Sequence, residues 1–206
     1  MTKIKHIAIA GNIGAGKTTL TTQLANIFGW EVHYEDTENN PYLSDFYNDM
    51  SRWSFNLQIY FLNSRYQQVL KILSGNKTVI QDRTIYEDAN IFAPNLHDMG
   101  LMSARDFENY YTLFKTMSSQ VNSPDLLIYL KAGLPKLVAN IATRGRDYEE
   151  NISMEYLQKL NERYDTWVKN YKDGKLLIVD VDNLDFINKE ADMNHIVNQV
   201  KEKLGI

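Results

Sequence analysis

The residues whose types and spacing carry the most chemistry are Gly11 to Thr18, GNIGAGKT, which fit the pattern G-x-x-x-x-G-K-[ST]. Glycines in such a run let the backbone turn tightly and point successive N–H groups inward. The positive end of a following helix adds to them, and the result is an anion nest for a triphosphate. Lys17 reaches the β- and γ-phosphates, and Thr18 offers its hydroxyl to Mg²⁺. The expected donor contacts are Gly11, Asn12, Ile13, Gly14, Ala15, Gly16, Lys17, Thr18 and Thr19. GTPases, transport ATPases and small-molecule kinases share such a cradle, so the phosphate acceptor has to be read elsewhere in the chain.

Three further groups have chemistry to offer. Glu35, in HYEDTENNPYL, follows a strand-like run, and ligand-binding residues of open parallel sheets lie at the carboxyl ends of strands. A carboxylate there can orient an attacking hydroxyl and accept its proton, and the adjacent Asp36 is a rival for the same role. Asp82 and Arg83 end another apolar run, VIQDRT; the acid can hold Mg²⁺ directly or through water, and the guanidinium can neutralise transferring charge or hold the base in place. On a long helical stretch, Gln58 and Arg65 stand seven residues apart and so project the same way, an amide and a guanidinium suited to the edge of a nucleobase. Each of these also has a plain reading as surface polarity or a surface ion pair.

The elements that must position these groups alternate. Apolar runs predict strands at Ile4 to Ala10, Glu31 to Glu35, Thr78 to Asp82, Asp125 to Leu130 and Leu176 to Val181. Helical periodicity predicts helices at Lys17 to Phe28, Arg52 to Leu73, Ile85 to Leu96, Ala104 to Val121, Leu134 to Thr143, Ser153 to Tyr171 and Asn188 to Leu204. Strands apolar on both faces, separated by helices, predict one α/β domain with a five-stranded parallel sheet covered on both sides. On the Arg52 helix, Phe55, Ile59, Leu62, Val69 and Leu73 form the predicted core stripe. Ser103 and Ser153 are the expected caps of the helices that follow them. The charged stretch Arg144 to Asn151, RGRDYEEN, is a solvated loop by composition or a mobile lid if phosphate chemistry is present.

With all these features in order, nearly the whole chain resembles the deoxynucleoside kinase family. The resemblance implies a P-loop kinase fold with a small lid, over residues 1–206, and transfer of the ATP γ-phosphate to the 5′-hydroxyl of a deoxynucleoside. Glu35 stands where that family has its base; Asp36 follows it where the family commonly has proline. Asp82, Arg83 and Thr84 match the family's acidic-Arg-Ser motif. The resemblance further implies that Gln58 bonds the nucleobase, that Tyr47 and Glu149 hold the sugar 3′-hydroxyl, and that Arg144 and Arg146 are lid arginines closing over the donor phosphates from a lid at about 144–152. Asp180 to Phe186, DVDNLDF, with Asp180 and Asp182 as contacts, resembles the loop around the adenine of ATP. Arg65 with Asp88 looks like the base-reading pair of purine and deoxycytidine kinases, with Phe92 stacking on the base or serving as helix core. These features favour deoxyadenosine, then deoxyguanosine or deoxycytidine. Homodimers through the Arg52 and Ala104 helices are implied by the family habit.

Composition sets the remaining bounds. The 206 residues carry a formal charge of −4, against a duplex nucleic-acid partner, and no cysteine, which fits a reducing compartment. MTKIKHIAIAG lacks the apolar stretch of a signal peptide and no segment is long and apolar enough to span a bilayer, so a cytoplasmic address is expected. His6, His33, His97 and His195 show no zinc spacing. A nucleoside monophosphate kinase needs further basic groups for an acceptor phosphate, a structural relative has no use for an intact cradle, and a GTPase needs an Asn-Lys-x-Asp segment that is absent.

Overall fold

The computed structural model of the chain describes residues 4–37, 39–149 and 152–206. Five parallel strands form one sheet in the order β2-β3-β1-β4-β5. They are β1 (His6–Gly11), β2 (Glu31–His33), β3 (Val79–Asp82), β4 (Leu126–Lys131) and β5 (Lys175–Asp180). The strand at the centre, β1, sets Ile9 beside Asp82 on one flank and beside Ile128 on the other. The carboxyl ends of β1, β3 and β2 therefore open side by side, which brings the Gly11 turn, Asp82 and the chain leading to Glu35 to one edge.

Both faces of the sheet are buried because successive β1 residues point opposite ways. Ile7 and Ile9 pack with Leu20 and Leu24 of α1 (Lys17–Phe28) and with Ile196 and Val200 of α9 (Glu190–Leu204). Ala8 and Ala10 face the other layer, with Leu62 of α3 (Met50–Ser74), Tyr110 of α6 (Ala104–Ser118) and Tyr164 of α8 (Met154–Lys169). Two small alanines on that side leave room for the large rings above them. Asp49 opens α3 by accepting from the Arg52 amide at 3.0 Å, and Ser153 opens α8 by accepting from the Tyr156 amide at 3.1 Å.

Several expectations need correction. The second strand ends at His33, so Glu35 sits two residues beyond it, in a loop. A short helix, α2 (Leu43–Asn48), precedes α3 and carries Tyr47. The core stripe of α3 is rotated: its buried residues are Ser54, Leu57, Gln58, Phe61, Leu62, Arg65, Val69 and Ile72, whereas Phe55, Ile59 and Leu73 are only partly buried. Gln58 and Arg65 thus share the inward face with Leu62 and Val69 instead of facing solvent. The helix expected from Ile85 to Leu96 is three pieces, α4 (Ile85–Glu87), a wide π turn over Asp88–Phe92 and α5 (Ala93–Asp98). Pro94 supplies the reason: it has no N–H for the carbonyl of Asn90, and the ladder loosens around the gap. Helix α7 (Leu134–Arg144) ends on Gly145 at φ 62°, and Asp147–Glu149 form one 3₁₀ turn of the expected lid; Glu150 and Asn151 of that lid lie outside the described residues.

Candidate active site

A cleft of about 1420 Å³ opens at the carboxyl edge of the sheet. Its floor is the cradle. Gly14 and Gly16 adopt φ 83° and 90°, left-handed conformations that side chains resist, and Gly16 starts α1. Lys17 turns its ammonium back onto the Asn12 carbonyl at 3.0 Å. Burial, with the Arg83 guanidinium adding to it, lowers that ammonium to about 8. Asn140 of α7 grips the loop from above through the Gly14 carbonyl, at 2.7 Å. Of the nine expected donor contacts, Ile13 to Thr19 line the cleft; Gly11 and Asn12 do not. The Asn12 side chain instead points to α8, donating to the Leu157 carbonyl at 3.0 Å and to Asn161 Oδ1 at 2.6 Å, so its work is to anchor the loop.

Beside the cradle, the Thr18 hydroxyl donates to Asp82 Oδ2 at 2.5 Å. The other oxygen, Asp82 Oδ1, is buried without a partner, and burial raises the carboxyl. One hydroxyl and one carboxylate with an unsatisfied oxygen make a hard-oxygen pair that fits Mg²⁺, an ion that usually takes only one or two protein ligands beside nucleotide phosphates.

The opposite half of the cleft is built on Arg65. Its guanidinium lies over the Phe61 ring, 4.4 Å from the centroid, and forks between two carboxylates, Asp88 and Glu35. Arg83 takes Glu35 from a second side, Nε to Oε1 at 3.1 Å. Burial raises Glu35, but Arg83 and then Arg65, with Lys17 and Arg146 behind them, bring it down to about 2. Asp88 is 1% exposed, and burial pushes its carboxyl up to about 7 against the pull of Arg65. Gln58 is also buried in this wall with Oε1 unpartnered. Phe92 comes off the π turn and carries the Arg83 guanidinium 4.6 Å above its ring. Asp36 stands apart from the arginines, held by the Tyr60 hydroxyl at 2.9 Å and the Asn39 amide at 3.1 Å.

At the end of α7, Arg144 donates to the buried Glu149 carboxylate from Nη2 at 2.6 Å and from Nε at 3.0 Å, and Arg146 lies at 3.5 Å from the same group. Tyr148 stacks on Tyr47 with centroids 5.6 Å apart. Sequence reasoning passed over Tyr148, although an aromatic between the two arginines and Glu149 is visible in RGRDYE. Asp180 and Asp182 are the remaining correction: both are exposed and neither lines the cleft. The Asp182 carboxylate accepts from the Gly133 amide at 2.7 Å, tying the turn after β5 to the start of α7, so that Leu184 to Asn188 reach the cleft instead. Phe186 lies against Gly16, where a Cβ would come within 3.2 Å of its ring.

A cradle, an acidic-Arg pair, a glutamate between two arginines and the segment from Arg144 to Glu149 thus surround one cleft. A family model described as Deoxynucleoside kinase matches residues 7–204. The chain belongs to the deoxynucleoside kinase family. A deoxyadenosine/deoxycytidine kinase of Bacillus subtilis is 38% identical over 196 residues, covering 94% of this chain and 90% of that relative. A deoxyguanosine kinase of the same organism is 36% identical, over 98% of this chain and 99% of its own length. Among solved structures, deoxyadenosine kinase from M. mycoides with bound dATP superposes with a TM-score of 0.85 at 31% identity, covering 96% of this chain and 99% of that one. The parallel sheet expected from the alternation of strands and helices, and the P-loop kinase fold that the resemblance implied, are those of this family.

Proposed function

We propose that this kinase moves the γ-phosphate of ATP to the 5′-hydroxyl of a deoxynucleoside, with deoxyadenosine preferred and deoxyguanosine or deoxycytidine following. The observation that carries the reading is Glu35, held between Arg65 and Arg83 on the boundary between the phosphate cradle and the wall of Gln58, Arg65 and Asp88. A base in that place faces a hydroxyl, not a phosphate.

The donor triphosphate lies along Ile13 to Thr19, and its base rests on the Leu184 to Asn188 turn. Thr18 and Asp82 would hold Mg²⁺, which would supply charge neutralisation to the donor phosphates. Glu35 accepts from the 5′-hydroxyl and takes its proton late, because in a loose phosphoryl-transfer transition state the nucleophile needs alignment more than early deprotonation. A carboxylate held near 2 suits that order. Arg144 and Arg146 turn from Glu149 toward the transferring phosphoryl as the lid closes. Tyr47 and Glu149 hold the 3′-hydroxyl. Asp88, Arg65 and Gln58 read the base, and the deoxyadenosine preference follows from presenting acceptors to an amino-substituted ring. A base without that amino group leaves a buried acceptor unpaired at about 1–3 kcal/mol. Two copies pair through α3 and α6, where Leu70 and Leu113 are 43% and 40% exposed. A cytoplasmic address suits a chain with no cysteine.

The test is transfer from Mg-ATP to deoxyadenosine, deoxyguanosine, deoxycytidine, thymidine and dTMP, with products separated chromatographically. Deoxynucleoside monophosphates are expected, dAMP fastest; a reaction with dTMP alone would replace this reading with a monophosphate kinase.

A further inference from the structure

Two fully buried residues outside the cleft converge on Arg83. Tyr164 of α8 and Glu87 at the end of α4 are each 0% exposed, and neither lines the cleft. The Tyr164 hydroxyl accepts from Arg83 Nη1 at 2.7 Å. Its single proton lies between Glu87 Oε1 at 2.8 Å and the Gly11 carbonyl at 3.0 Å. Glu87 Oε1 also faces the Gly11 amide at 3.3 Å and Arg83 Nη1 at 3.4 Å, while Oε2 accepts from the Thr84 amide at 2.9 Å.

Arg83 needs such a mount. At φ 72° it is the one non-glycine with left-handed backbone among the described residues, a conformation that persists only where surroundings hold it. The amides on either side are pinned, Arg83 N to the Ile9 carbonyl at 2.9 Å and Thr84 N to Glu87. A guanidinium is a rigid plane, so fixing Nη1 also fixes where Nε sits, the atom that pairs with Glu35 by charge at 3.1 Å without a hydrogen bond. The same hydroxyl touches Gly11, where the cradle begins, so one anchor serves the donor and acceptor halves together.

We propose that Tyr164 and Glu87 are positioning residues for the phosphoryl transfer, acting through Arg83 to keep Glu35 aimed at the acceptor hydroxyl. The proposal rests on the reading of Glu35 as base. The alternative is that the two residues satisfy each other's buried polar groups and add stability alone.

The experiment is a double-mutant cycle of Tyr164→Phe with Glu35→Gln, with kcat counted per folded site by ATP-binding titration. Removing a hydrogen bond to a charged group should lower kcat about 10- to 100-fold in the single Tyr164→Phe variant, with KM for both substrates within about 3-fold. Once Glu35 is gone the path has no end point, so in the Glu35→Gln background the same change should cost less than about 2-fold. Glu87→Gln, which keeps an acceptor for the Thr84 amide, enters the same path from its other member and should behave alike. An unchanged kcat in Tyr164→Phe, or an equal penalty in both backgrounds, overturns the positioning role alone. If Glu35→Gln by itself leaves turnover intact, the base assignment falls and takes this proposal with it.

Discussion

Gly14 occupies one of the free positions of the phosphate-loop pattern, yet the structure leaves no space for a side chain there. A Cβ would lie 2.6 Å from the Leu137 carbonyl oxygen and 2.9 Å from Ile141 Cγ1, both on α7, at a backbone φ of +83°. Alanine in a left-handed conformation costs about 1–2 kcal/mol. Forcing one carbon against a helix backbone adds about 1–3 kcal/mol. The sum for Gly14→Ala is about 2–5 kcal/mol, and the loop can relieve it only by leaving α7, which breaks the contact between Asn140 and the Gly14 carbonyl and splays the inward amides. ATP affinity should fall by at least about 30-fold, the equivalent of 2 kcal/mol. Gly100→Ala is the control: φ there is +72° with nothing within 4 Å, so only the conformational cost applies and ATP binding should not change. Calorimetric ATP titration with a thermal scan of each variant decides it. If Gly14→Ala binds ATP within about 2-fold of the parent and melts like Gly100→Ala, the steric reasoning is wrong.

Three further outcomes are expected. Glu35→Gln should lower turnover about 10²- to 10⁴-fold while ATP and nucleoside binding change only a few-fold, and a loss under tenfold would remove Glu35 as base. Because Arg83 and Arg65 hold Glu35 near 2 against its burial, it stays ionised as pH falls through 4.5, and kcat/KM should show no acid limb from this group there; a limb centred near 4.5, the ordinary glutamate value, would contradict the double clamp. Finally, burial lowers His6 from 6.5 to about 4 against the opposing hydrogen bond with Gln81, so between those values the unfolded chain binds a proton that the native protein refuses. Stability from this group is complete above 6.5 and drains as pH falls to 4, a total of about 3 kcal/mol, and His6→Gln should flatten that slope in urea titrations at pH 7 and 4.5.

How much of this was legible along the chain depends on how local the physics is. The cradle could be read from GNIGAGKT because its chemistry rests on backbone conformations of consecutive residues, and five parallel strands followed from apolar runs because strands covered on both faces are mostly apolar. Glu35, Arg83, Arg65 and Asp88 were named from their residue types and from family likeness, and the fold brings all of them to one cleft. The rotation of the α3 face was hidden, because a buried guanidinium and amide break the apolar stripe that periodicity tracks, and only the carboxylates of Glu35 and Asp88 on other elements make burial of the guanidinium tolerable. Asp180 and Asp182 misled because an acidic turn after a strand looks the same whether it meets a ligand or, as here, a backbone amide 49 residues away. Glu87 and Tyr164 were invisible for the same reason. They lie 77 positions apart in the chain, and nothing in either neighbourhood says that α8 will cross the end of α4 and set a hydroxyl against Arg83. Residue types and short spacings were decided by the sequence itself, whereas which buried charge meets which was decided by packing, since ion pairs form across elements and a buried charge is stable only in the geometry its distant partner provides.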